Sequence, residues 1–188
     1  MRIIAGLAKG RNLLSPSDGV RPTSDRAREA LFSTLDSEFG SMSDLHFLDL
    51  YCGSGAVSAE ALSRGAAFVQ AVDKDERATS VARSNHEMLE KIQGIGSSSV
   101  ITMAVARFLE RSAENKFDIV FMDPPYELGS EEVINSLSLL HKNGFVKPGT
   151  VIAIERDSKS KGIEWPAGYV PLKERKYGAA TIYYAEAC

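Results

Sequence analysis

Short apolar runs separated by amphipathic stretches constrain the fold of this chain more than any other feature. Residues 45–51, 68–73, 100–104, 117–123 and 150–154 are each brief, apolar and bounded by turn formers, the mark of buried strands. Helical spacing fills the gaps. Val57, Ala61 and Leu62 share one face ahead of a stop at Gly65; Ala78, Val81, Ala82, Leu89 and Ile92 form a second stripe; Val133, Ile134, Leu137 and Leu140 form a third. Strands alternating with helices predict an α/β fold built on a doubly wound, mostly parallel sheet. The ends break the alternation. Two apolar stretches flank Lys9-Gly10-Arg11, which predicts an N-terminal hairpin or extended arm, and Thr23 is placed to cap a helix burying Ala27, Ala30, Leu31 and Leu35. Residues 169–172 and 181–185, on either side of Lys176-Tyr177-Gly178, predict a terminal antiparallel pair. At 188 residues the chain is expected to be one domain, with 1–22 as the arm and 23–188 as the core.

Composition narrows the setting. No apolar run approaches the roughly 18 residues of a membrane span, and the first ten residues are too interrupted to be a signal peptide. Two cysteines, Cys52 and Cys188, are too few for a disulfide framework or a zinc site, and His46, His86 and His141 have no partners at metal-ligand spacing. A reduced, cytoplasmic protein without a metal is expected. The net charge of −3 hides a segregated distribution. Residues 1–28 carry six basic against two acidic residues, and 156–176 six against three, leaving −10 for the rest. Two basic ends on an acidic body allow one face to attract a polyanion, although charge alone fits ordinary solvated surface equally well.

Ligands of doubly wound sheets sit beyond the carboxyl ends of the strands, where the strand order reverses. The first strand delivers Asp49, Tyr51, Cys52, Gly53, Ser54 and Gly55 to that edge, and its glycines let backbone turn sharply against a ligand. Ser58 stands where a dinucleotide fingerprint wants its third glycine, which argues against NAD. Asp73, followed by Lys74, ends the second strand, where a carboxylate accepts ribose hydroxyls; capping of the next helix is the competing role. Asp49, under the turn, is expected to accept backbone N–H groups or to face a ligand ammonium.

The fourth strand ends in Asp123-Pro124-Pro125-Tyr126. Two prolines after a strand usually only stop it. Here they lie between a carboxylate and an aromatic at the ligand edge, and that set suits one reaction. The exocyclic amino group of a nucleobase is a poor nucleophile because its lone pair is delocalised into the ring. If the Asp123 carboxylate and the Pro124 carbonyl each accept one amino hydrogen, the nitrogen becomes pyramidal and its lone pair points at an electrophile. Tyr126 offers a face on which the base stacks. Attack on a sulfonium methyl expels a neutral thioether, so positioning supplies most of the catalysis and no metal is needed.

Asp123-Pro124-Pro125-Tyr126 resembles the motif of S-adenosylmethionine (SAM)-dependent methyltransferases that act on base amino groups. The likeness extends along the chain. Arg2-Ile3-Ile4-Ala5-Gly6, Lys9-Gly10-Arg11, Arg21-Pro22-Thr23-Ser24-Asp25-Arg26, Arg28-Glu29-Ala30-Leu31-Phe32 and Glu60-Ala61-Leu62-Ser63-Arg64-Gly65-Ala66 are similar to segments of the bacterial 16S ribosomal RNA guanine-N2 methyltransferases. The resemblance implies a Rossmann-like class I methyltransferase fold, SAM as cofactor, and methylation of a guanine amino group of 16S rRNA by a monomer, on the 30S subunit or an assembly intermediate. It places Asp49, Tyr51, Cys52, Gly53, Ser54, Gly55, Asp73 and Lys74 at the cofactor, and Asp123, Pro124, Pro125 and Tyr126 at the reaction. Arg11, Arg21, Thr23 and Arg26 fall at the RNA or at the methionine end of the cofactor, with bracing of the arm as the structural alternative. Tyr51-Cys52 replaces a usual Phe-Ala, and Ala104 stands where many relatives carry an aspartate for the adenine amino group, leaving adenine to backbone groups and packing against Phe108. Three other readings remain: an adenine-N6 methyltransferase of DNA, disfavoured by the lack of a separate target-recognition domain; a non-catalytic RNA-binding assembly factor; and an NAD oxidoreductase.

Overall fold

The computed structural model describes residues 1–15 and 25–188. The elements follow in the order α1 (Asp25–Phe39), β1 (His46–Leu50), α2 (Ala56–Ser63), β2 (Phe68–Asp73), α3 (Glu76–Glu90), β3 (Ser97–Thr102), α4 (Val105–Leu109), β4 (Phe117–Met122), α5 (Ser130–Lys142), β5 (Val146–Asp157), β6 (Tyr169–Tyr177) and β7 (Ala180–Ala187). They build one seven-stranded sheet of order β3-β2-β1-β4-β5-β7-β6. The first five strands are parallel; β7 runs antiparallel between β5 and β6. The α/β class and the terminal antiparallel pair are thus as the sequence predicts. Among the described residues no helix is long and apolar enough to cross a membrane.

Alternating side chains of the central strands supply two apolar layers. Phe47, Ile119, Phe121, Val151 and Ala153 pack beneath α1, α2 and the arm. Leu48, Leu50, Val120, Met122, Ile152 and Ile154 pack against α4 and α5 on the other face. Burial on both faces explains why these strands read as unbroken apolar runs.

Four boundaries differ from the sequence reading. The third strand begins at Ser97, three residues before the apolar Val100-Ile101, because β3 is an edge strand and its half-exposed serines cost little there. The short helix α4 was not expected; five residues are too few to show a period. Strand β5 extends on both sides of residues 150–154, with a register irregularity opposite β4 between Phe117 and Ile119. The buried face of α3 includes Thr79, Asn85 and His86, whereas Val81 is only half-buried.

The predicted arm is present. Ile3 N–H donates to Arg11 O (2.9 Å), Gly10 N–H to Ile3 O (2.9 Å) and Leu13 N–H to Met1 O (2.9 Å), around an isolated bridge between Arg2 and Asn12. Its footing is a buried carboxylate. Glu60, on α2, accepts from Ile4 N–H (2.8 Å) and Ala5 N–H (2.9 Å) and from Arg64 Nε (2.9 Å). Arg28, fully buried, lies 3.8 Å from Glu60 and donates to Arg2 O (2.7 Å) and Asp25 (2.9 Å). Desolvation pushes the Arg28 guanidinium below its ordinary pKa, with Glu60 and Asp25 opposing the shift. Gly6, at φ +82°, lies so close to α2 that a Cβ there would sit 1.8 Å from Ser63 O. The segments at 2–6, 28–32 and 60–66 that carry the family resemblance therefore meet in one joint.

Candidate active site

A cavity of about 490 Å³ opens at the carboxyl edge of the sheet, over the reversal of strand order between β1 and β4. Asp49, Tyr51, Cys52, Gly53 and Ser54, all at or after the end of β1, form its floor. Asp73 and Lys74 contribute from β2, and residues 104–106 from the start of α4. Asp123, Pro124, Pro125 and Tyr126 form the wall beyond β4. Eleven of the predicted site residues thus reach one cavity.

Gly55 does not line it. At φ +75° it faces α3, where a Cβ would lie 2.9 Å from Ala82 Cβ and 3.2 Å from His86 Nε2, so glycine here lets α3 pack close against the turn. Phe108 is also absent from the wall. It is buried in the core with its ring 5.1 Å from that of Phe145, so it leaves the adenine-packing role to other groups. Arg11 is exposed on the arm and Arg26 on the first turn of α1; Arg21 and Thr23 lie outside the described residues. Trp165 packs near Tyr169, with ring centroids 6.1 Å apart.

The turn after β1 is strained and heavily bonded. Tyr51 adopts φ +63°, a left-handed conformation that costs a non-glycine residue about 1–3 kcal/mol and tends to persist at ligand sites. Asp73 uses both oxygens on backbone: Gly53 N–H donates to one and Asp75 N–H to the other, each at 2.9 Å. Asp75 itself caps α3 by accepting from Arg77 N–H, so the capping role belongs to Asp75 and Asp73 is left to shape the turn and face the cavity. The Cys52 thiol is pushed well up by burial, then by Asp49 and Asp73, which keeps it protonated and unsuited to nucleophilic attack.

Asp49 is 1% exposed and accepts from Ser58 N–H at 3.0 Å. The Ser58 hydroxyl donates to Gly55 O (3.1 Å) and meets His86 Nε2 at 3.0 Å. The residue that departs from the dinucleotide fingerprint thus links a buried acid to a buried imidazole. Burial raises the Asp49 pKa from 3.8 to about 7 and lowers that of His86 from 6.5 to about 4. The folded state therefore holds more protons than the unfolded chain at Asp49 between pH 4 and 7, and fewer at His86 between pH 4 and 6.5, so the two contributions oppose each other. In Asp49→Asn, stability should rise with pH across that lower window. In His86→Gln it should fall between pH 4 and 7, by up to about 1.4 kcal/mol per pH unit. Urea titrations at pH 4.5, 5.5 and 6.5 check both slopes; two variants with the same sign would refute the assignment.

Sequence reasoning missed Asn85. Fully buried on α3, it accepts from Leu14 N–H (2.8 Å) and donates to Leu14 O (3.1 Å) and Ser54 O (3.0 Å). It joins the end of the arm to the glycine turn. A polar residue on an apolar helical stripe was the available signal.

A sheet of this order with a ligand cavity at its switch point is the fold of the class I SAM-dependent methyltransferases. Magnesium protoporphyrin IX methyltransferase of Synechocystis, solved with bound SAM, shares the fold with a TM-score of 0.66 over 87% of this chain and 79% of that one, at 16% identity. The nearer relationship is with one family. The family model described as "Conserved hypothetical protein 95" matches residues 1–186, and the chain belongs to that family. Ribosomal RNA small subunit methyltransferase D of Haemophilus influenzae is 35% identical over 183 residues, 95% of this chain and 89% of that protein. The solved structure of the Escherichia coli protein yhhF superposes with a TM-score of 0.85 and 32% identity, covering 100% of this chain and 97% of the other. The protein is a methyltransferase of this group.

Proposed function

We propose that the protein transfers a methyl group from SAM to the exocyclic N2 amino group of a guanine in 16S rRNA, acting as a cytoplasmic monomer on the 30S subunit or an assembly intermediate. One observation carries this reading: the Asp123-Pro124-Pro125-Tyr126 loop opens into the same cavity as the strained turn after β1 and the Asp73 carboxylate. The names of the curated relatives support small-subunit rRNA as the substrate.

The cavity suits the cofactor. A Cβ on Gly53 would meet no protein atom within 4 Å, so at this position bare backbone faces open space. Asp73 accepts the ribose hydroxyls, and the backbone of residues 51–54 together with Lys74 encloses the rest. Ala104 offers no side-chain acceptor, and adenine rests against the backbone and small side chains of residues 104–106. Bound there, SAM supplies an activated methyl on a positively charged sulfur.

Asp123 and Pro124 O accept the two amino hydrogens of the flipped guanine, whose ring stacks on Tyr126, 44% exposed at the cavity mouth. As the amino nitrogen attacks, the N–C bond forms and the C–S bond breaks, its electron pair leaving on sulfur. The surplus proton on nitrogen passes to the Asp123 carboxylate or to water. Flipping the base costs on the order of a few kcal/mol, which stacking and phosphate contacts repay.

The test is to incubate the protein with labelled SAM and undermodified 30S particles, free 16S rRNA or DNA, and to identify the modified nucleoside. N2-methylguanosine is the expected product; N6-methyladenine in DNA, or cofactor binding without transfer to RNA, would overturn the reading. Arg11, Arg21 and Arg26 contact phosphate. Replacing Arg11 and Arg21 together with Ala should weaken RNA binding and flatten the dependence of log affinity on log salt by about two charges' worth. A salt slope equal to that of the wild type would remove these arginines from the RNA interface.

A further inference from the structure

The cavity also takes in residues of the last three strands. From Asp123 the wall continues away from the glycine turn, through Glu155 on β5 and Ala180 on β7 to Tyr177 on β6. Met122 pairs in register with Ile154, the last pair of the β4–β5 ladder, and Asp123 and Glu155 are the residues that follow it on the two segments. Both line the cavity, and Glu155 is only 6% exposed.

We propose that Glu155 determines base specificity by accepting the N1–H of the target guanine while Asp123 and Pro124 O hold its N2 amino group. This rests on the guanine-N2 reading above and deepens it. Guanine carries its ring N1–H and its amino hydrogens side by side, so two neighbouring carboxylates match that edge. Adenine presents a bare ring nitrogen beside its amino group, and a carboxylate facing that lone pair repels it. A site built around a hydrogen-bond donor rejects an analogue that lacks it far more strongly than an apolar pocket rejects a change of shape. Pro125, Tyr126 and Tyr177 line the same cavity as Glu155.

2-Aminopurine separates the contributions. It keeps the reacting 2-amino group but has a bare N1 and no 6-oxo group. With substrate RNA carrying guanine or 2-aminopurine at the methylated position, the wild type should prefer guanine by about 10²-fold or more in kcat/KM. In Glu155→Gln the preference should fall below about tenfold, because a carboxamide turns to offer either a donor or an acceptor. Glu155→Ala should lose the preference as well. Equilibrium binding of the two RNAs in the presence of S-adenosylhomocysteine, where nothing turns over, should show the same collapse. A carboxylate that merely supports the fold would lower transfer to both bases alike and leave their ratio unchanged. Equal methylation of both bases by the wild type would overturn the proposal without any variant. A ratio identical in wild type and Glu155→Gln would overturn it while leaving guanine-N2 transfer intact, whereas absence of guanine methylation by the wild type would overturn both.

Discussion

Asp123→Ala should reduce methyl transfer by about 10³-fold while changing cofactor affinity no more than a few-fold. The magnitude is that of deleting a preorganised hydrogen-bonding group aimed at charge that develops only in the transition state. The amino nitrogen becomes cationic as it bonds to carbon, so a carboxylate on its hydrogens gains most at that moment and little in the ground state. Loss should therefore appear in kcat more than in KM. Asp123→Asn is the sharper variant: it preserves size and one acceptor but removes the charge, and it should fall between wild type and alanine. The cofactor side rests on different strands, the floor coming from β1 and Asp73 from β2, which is why binding should survive. Single-turnover transfer and calorimetric titration with SAM measure the two quantities; transfer within tenfold of wild type in Asp123→Ala would remove this residue from the reaction.

The second large effect concerns stability. Glu60→Ala should destabilise the fold by about 3–5 kcal/mol, because it strips the buried Arg28 of its neighbouring carboxylate and leaves the Ile4 and Ala5 amides without acceptors. For a chain of this length that corresponds to a melting temperature lower by about 6–20 °C. Glu60→Gln, which retains an acceptor oxygen, should recover part of the loss. Limited proteolysis should cut within residues 1–15 of the alanine variant before any other site. A variant that melts within about 2 °C of wild type would show that the joint contributes little.

Much of the fold was legible because burial on both faces makes central strands apolar, and residues 45–51, 68–73 and 117–123 announced themselves in that way. The edge strand β3 did not, since Ser97, Ser98 and Ser99 satisfy a ladder on one side only and need no apolar face. That residues 123–126 would reach the ligand edge was legible because a carboxylate, two prolines and an aromatic in sequence at the end of a buried strand have few purely structural uses. Its floor was less so. Tyr51 gives no sign in the sequence that it adopts a left-handed conformation, and Gly55 looked like a ligand contact when its task is to admit α3. Asn85 showed only as a polar break in the α3 stripe, because its partners Leu14 and Ser54 are distant in the chain, and the placing of Glu155 in the same cavity as Asp123 comes from strand pairing alone.

Asn85 ties the arm to the glycine turn, and Glu60 roots the same arm in the helix that follows that turn. The N-terminal segment is consequently not an exchangeable module. A chimaera that swaps residues 1–15 for those of a relative should keep its stability only if the partners on α2 and α3, Glu60 and Asn85, are carried over with them.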